Sequence, residues 1–192
     1  MPDARPDVLD FLLTRRSRPA KTLIAPIPDE TAVEVLLTAA ARTPDHGKLE
    51  PWRFIVLQKP ALDRLAKLTA TRAAALALPA EKAEKAVAQF ANADLVIAVV
   101  AAPKPSEKVP EVEQVLSSGA VCLSLLNAAL ASGWGANWLT GWMAFDREFL
   151  AQGLALSEPE FVAGFIHVGT EKTTPPERPR PDIATITTWV TQ

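Results

Sequence analysis

The chain has one cysteine, two histidines and no tyrosine in 192 residues. Cys122 alone cannot form an intrachain disulfide. Its apolar run, Gly119-Ala-Val-Cys-Leu-Ser-Leu-Leu, reads as a small buried hydrophobe. The low cysteine count suits a reducing compartment. Charged residues interrupt the first stretch, so no signal pattern is expected, and cytoplasmic is the default location. His46 and His167 stand in no His-x-x-x-His or Glu-x-x-His pattern, which leaves a zinc site without a ligand set, and no metal is expected. Gly-x-x-x-x-Gly-Lys is absent, and no Gly-x-Gly-x-x-Gly follows a strand. A P-loop and a dinucleotide-binding doubly wound sheet are therefore disfavoured. There is no Gly-x-Ser-x-Gly elbow of an α/β-hydrolase. No run reaches the roughly 18 consecutive apolar residues of a membrane span. A net charge of −2 gives no reason to expect nucleic acid or an anionic membrane as partner.

What is present fits one domain over residues 1–192. Apolar spacing predicts helices over 7–16, from the Asp29 N-cap to 42, over 60–71 and 79–92, and over 111–132, with a short one from the Asp146 N-cap to 153. Strands are expected at 53–58, 94–101, 136–139 and 161–168. The first helix should end in arginines that complement its dipole. The 111–132 helix, apolar on nearly all faces, should be buried on every side or shared with a second subunit. The proline-rich tail should be extended, and its apolar Ile183, Ile186, Trp189 and Val190 should pack, on a partner chain if not on their own. This is an α+β layered domain.

Two segments carry most of the polar chemistry. Arg15-Arg16-Ser17-Arg18 packs three guanidiniums and a hydroxyl into four residues, a pattern that suits phosphate or a solvated helix end. Arg178-Pro179-Arg180 could turn two more arginines toward one anion. Pro44-Asp45-His46-Gly47-Lys48-Leu49-Glu50-Pro51-Trp52-Arg53-Phe54 leads into a strand. Within it His46 and Lys48 can donate to the polar edge of a ring, Asp45 can orient His46, and His46 can exchange a proton near neutral pH. In Gly133-Trp134-Gly135-Ala136-Asn137-Trp138-Leu139-Thr140-Gly141, small residues admit close backbone approach and Trp138 can pack on a flat ring. His167 reads as a satisfied structural residue.

In this order the segments resemble the nitroreductase family of FMN-dependent oxidoreductases, in its minimal, YdjA-like branch. The likeness rests on Arg-Arg-Ser, on Ala-Ala-Arg-Thr-Pro-Asp-His…Pro-Trp-Arg-Phe, on Ser-Gly-Trp-Gly-Ala-Asn-Trp-Leu-Thr-Gly and on Gly-Phe-Ile-His-Val-Gly-Thr, and covers essentially the whole chain. It implies a central, mostly antiparallel sheet flanked by helices and a homodimer with FMN at the interface. NAD(P)H would be the hydride donor in ping-pong turnover through flavin N5, and an electron-poor nitroaromatic, quinone or enal-like molecule the acceptor. By position, Arg15, Arg16 and Ser17 would bind the FMN phosphate and ribityl chain, and Arg178 and Arg180 would complete the phosphate site. Thr140 and Gly141 would bring N–H groups near N5 and O4. Pro44, Asp45 and His46 would approach from the other subunit. No side chain is an obligatory acid or base, although His46 could relay a proton. Family members often carry a basic residue where this chain has Pro19, and Arg18 or Lys21 could stand in for it. A same-fold enzyme of specialised chemistry, such as flavin fragmentation, and a flavin-binding protein without turnover both stay open.

Overall fold

The computed structural model describes residues 3–192. Helix α1 (Pro6–Thr14) leads through a turn at Ala20–Thr22 to strand β1 (Leu23–Ile24). There follow α2 (Glu30–Ala40), β2 (Trp52–Gln58), α3 (Lys59–Ala75), α4 (Ala80–Ala91), β3 (Leu95–Ala101) and α5 (Glu111–Ala131). The chain closes with β4 (Gly135–Leu139), α6 (Arg147–Leu154), β5 (Phe161–Glu171) and one helical turn, α7 (Ile183–Ile186). Every strand pairing is antiparallel: β3 lies between β2 and β5, while β4 and β1 also pair with β5.

All seven residues of β3, Leu-Val-Ile-Ala-Val-Val-Ala, are buried because both faces of the sheet are covered. Strand alternation divides them. Val96, Ala98 and Val100 face α3, α4 and α6, where Phe90, Phe149 and Phe165 pack with ring centroids 5.2 and 5.7 Å apart. Leu95, Ile97 and Val99 face α2 and α5 through Leu36, Val121 and Leu125. The result is the expected α+β layering. Asp29 and Asp146 cap α2 and α6, as their sequence positions suggest. Asp146 also takes two bonds from Arg72 of α3, and that guanidinium holds its carboxyl below the usual range.

Three expectations need correction. First, α1 ends at Thr14, so the arginines lie beyond it. Arg15 is already extended (ψ 143°), and the Arg18 N–H pairs with the Ala136 carbonyl at 2.8 Å, which pulls 15–18 out of helical form and onto β4. Second, of the two expectations for α5, burial on every side is not met within the chain itself, which buries the helix on one side only. Val121, Cys122, Leu125, Leu126 and Ala129 meet the core, but Val112, Leu116 and Leu123 are 62%, 68% and 45% exposed. A helix laid on one sheet can cover only the face it turns to that sheet. Third, the tail is not wholly extended, because Asp182 caps the single turn of α7. Val8, Leu9, Leu12 and Leu13 of α1 and Ile183, Ile186, Trp189 and Val190 of the tail are all exposed, so together with α5 the chain leaves three apolar surfaces uncovered among the described residues. Burial raises the Cys122 thiol to about 12, which keeps it an inert hydrophobe.

Candidate functional site

Beyond α1, the strand-like tether of Arg18 holds residues 15–17 against the end of β4. The Arg18 carbonyl accepts from Asn137 Nδ2 at 2.7 Å, and its guanidinium Nε lies 2.7 Å from Glu171 Oε2. Arg15 Nη2 donates to Ser17 Oγ at 2.9 Å, and Arg16 Nη1 donates to the Ser17 carbonyl at 3.2 Å. Arg180 reaches back from the tail and donates to the Arg15 carbonyl at 3.4 Å. The Nε atoms of both Arg15 and Arg16 are buried without a partner. Neither side chain forms an ion pair among the described residues. Burial, and then the charges of Arg180, Arg16 and Arg18, lower the Arg15 pKa. An arginine cannot relieve such crowding by losing its proton, so this cluster calls for an anion with several acceptor oxygens. A phosphate monoester fits that donor set. The structure brings Arg15, Arg16, Ser17 and Arg180 together, and the Arg180 guanidinium also pairs with Glu177 at 2.9 Å, which leaves Arg15 and Arg16 as the two arginines of the cluster without a carboxylate. Arg178 contributes only a backbone N–H, to Glu177 at 2.9 Å, and its guanidinium joins no contact in the cluster.

A pocket of about 380 Å³ between α4 and the β4–β5 edge is lined by Lys21, three positions beyond Arg18, and by Lys85, Gln89, Asn92, Leu139 and His167. Gln89 Nε2 and His167 Nε2 are buried there without partners. His167 is thus not the satisfied residue expected. Desolvation lowers its pKa to about 4, so it is neutral near pH 7. Thr140 and Gly141 follow directly on β4, whose last residue, Leu139, lines this pocket. Gly141 sits at φ 136°, a conformation that strains any residue with a Cβ. Trp138 points to the opposite face of the sheet. It lies over Gly164, where a Cβ would clash with the indole, and its N–H donates to the Ala163 carbonyl at 3.3 Å.

The 43–52 segment is held along α5 at several heights. Thr43 Oγ1 donates to Ser124 Oγ at 3.0 Å, Ser117 Oγ donates to the Pro44 carbonyl at 3.0 Å, and Trp52 Nε1 donates to Ser117 Oγ at 3.1 Å. Within it, Gly47, Lys48 and Glu50 have φ of 73°, 54° and 48°. Two non-glycine residues in the left-handed region persist only where surroundings over-determine them. Part of that determination comes from Asp45, whose Oδ2 accepts from the Glu50 N–H at 2.9 Å. Asp45 therefore does not orient His46, which corrects the sequence expectation. The partner of His46 is Glu113 of α5, with Nδ1 and Oε2 2.7 Å apart. Glu113 went unnoticed because it is 67 positions away, with no local spacing to link the two. Its one sequence signal is an acid in the first turn of α5, which it shares with Glu111.

The profile of the Nitroreductase family matches residues 15–170. A protein of Haemophilus influenzae named "Putative NAD(P)H nitroreductase" is 37% identical over 166 residues, covering 85% of this chain and 88% of its own length. "Putative NAD(P)H nitroreductase YdjA" of Escherichia coli is 30% identical over 164 residues, with the same coverage of 85% and 88%. In fold, the chain is similar to a solved structure titled as a putative nitroreductase in complex with FMN from Desulfovibrio desulfuricans, with a TM-score of 0.74, 24% identity and 96% of each chain covered.

Proposed function

The chain belongs to the nitroreductase family, and from that premise we propose that it is an FMN-dependent oxidoreductase that uses NAD(P)H to reduce an electron-poor acceptor. One observation carries the reading: two buried guanidinium Nε atoms without partners, in a group of four arginines that lacks a paired carboxylate at Arg15 or Arg16. Related proteins named as NAD(P)H nitroreductases, and an FMN complex of the same fold, support it.

In this reading Arg15, Arg16, Ser17 and Arg180 hold the phosphate by charge-assisted bonds, and Arg178 joins them as the tail settles. Lys21, rather than Arg18, serves the polar edge of the ring, because Lys21 lines the pocket and Arg18 does not. Lys85 stands in the same pocket. Thr140 and Gly141 offer backbone N–H groups beside the ring, and Trp138 walls the opposite face of the strand. FMN held there would supply the redox chemistry between NAD(P)H and a nitroaromatic, quinone or enal-like acceptor. The protein's task is to bind, orient and exclude water.

The site is completed by a second copy of the chain, which brings its Pro44, Asp45 and His46 to the flavin. The exposed apolar residues of α1, α5 and the tail are the surfaces such a homodimer would cover. The whole acts as one domain over residues 1–192 in the cytoplasm. The test is anaerobic: NADH or NADPH should bleach the flavin absorbance of FMN-loaded protein, and an acceptor added after the nucleotide is removed should restore it. A protein that takes up FMN but is bleached by neither nucleotide would contradict the enzyme reading and leave a flavin-binding protein.

A further inference from the structure

We propose that Glu113 is a positioning residue for His46, fixing which imidazole nitrogen is presented to the flavin held by the second copy. The proposal rests on the FMN reading above and deepens it. A carboxylate can only accept, so the 2.7 Å contact between Glu113 Oε2 and His46 Nδ1 requires a proton on Nδ1. In the neutral ring that leaves Nε2 as the bare nitrogen, able to take a proton from water and pass it on. Without Glu113, nothing else in the described residues bonds either ring nitrogen.

Other roles for the pair are weaker. His46 and Glu113 have side chains 58% and 45% exposed, and an exposed ion pair contributes about 0–1 kcal/mol to stability. The shape of the loop is already set elsewhere, by Ser117 on the Pro44 carbonyl, Trp52 on Ser117 and Asp45 on the Glu50 N–H. What Glu113 adds is the direction and tautomer of one ring. Charged groups close in sequence to the pair are Asp45, engaged by the Glu50 N–H, Lys48 and Glu50 of the same turn, and Glu111 in the first turn of α5. From the 103–110 loop the apolar Val109 side chain approaches Gly47.

The experiment is two-bond ¹H–¹⁵N correlation of the imidazoles in FMN-loaded protein, with His46→Gln used to tell the two histidines apart. The wild type should show His46 protonated at Nδ1 with a bare Nε2. Glu113→Ala should shift it to the Nε2-protonated or a mixed form, and Glu113→Gln, whose carbonyl still accepts, should restore the wild-type pattern. The acceptor half-reaction should slow about tenfold in Glu113→Ala and recover in Glu113→Gln, with FMN affinity unchanged. Wild-type protein that takes up FMN while Glu113→Ala leaves the tautomer or the half-reaction unaltered would overturn this proposal alone. Failure of the wild type to take up FMN would overturn the reading beneath it as well.

Discussion

Residues 15–18 with Arg180, and residues 43–52 with α5, are the two polar regions of the candidate site, and they stand in opposite states of completion. In the first, guanidiniums crowd one another and two buried Nε atoms have no acceptor. In the second, Asp45 holds the strained Glu50, and bonds among Thr43, Trp52, Ser117 and Ser124 fix the segment on either side. The difference teaches which part waits for a ligand and which is built beforehand. Buried polar groups are ordinarily satisfied, so an unsatisfied cluster marks where something from outside completes the structure. His167 shows a third outcome. It too lacks a partner, but a histidine can shed its proton, and burial makes it do so. Arginine has no such escape.

The comparison breaks most visibly when the cluster is thinned. Arg15→Ala and Arg180→Ala should each weaken FMN binding by about 1.5–3 kcal/mol, since each removes a charge-assisted contact. Neither should lower the melting temperature of the FMN-free protein, because repulsion is relieved. A marked loss of stability without FMN would mean that the arginines are structural.

His167 gives an effect of similar size, spread over a pH window. Its folded pKa of about 4 lies below the ordinary 6.5, so the unfolded chain binds the extra proton first as pH falls. Its contribution is fully present above about pH 6.5 and is lost progressively toward pH 4, by about 3 kcal/mol in all. Denaturant melts of His167→Leu against wild type over that window should show a flatter pH dependence in the variant. Equal slopes would place another group in control.

Ser117→Ala tests the completed region. It leaves the Trp52 indole N–H and the Pro44 carbonyl without their partner, at a cost of about 1–3 kcal/mol in stability. The loss should appear with or without FMN, the reverse of the arginine variants. If it appears only when FMN is bound, the loop is not built beforehand.

The layering was legible in the sequence because β3 is continuously apolar and the helices have clear periodicity and caps. The two-residue β1 carries too few side chains to show a pattern, and it forms only because β5 runs far enough to pair with it at Thr170 and Glu171. In the site, Arg15, Arg16 and Ser17 could be read because neighbours in sequence stayed neighbours in space. Arg180 was found through its charge, although its approach to Arg15 spans 165 positions. Glu113 and Lys85 were missed for the opposite reason. Each lies on a helix whose rotation against the sheet decides what it faces, and local spacing does not encode that rotation. Asp45 looked like the partner of His46 because it is adjacent, but adjacent side chains in extended backbone point apart.

The central claim is that the arginine cluster reads a phosphate carried by a flavin. FMN and riboflavin differ by that phosphate alone, so their dissociation constants, measured by flavin fluorescence on the flavin-free protein, test it most directly. FMN should bind at least about a hundredfold more tightly than riboflavin, as expected if two or more charge-assisted contacts are lost. The gap should shrink toward nothing when Arg15→Ala and Arg180→Ala are combined. Equal affinity of the wild type for the two flavins would contradict the account.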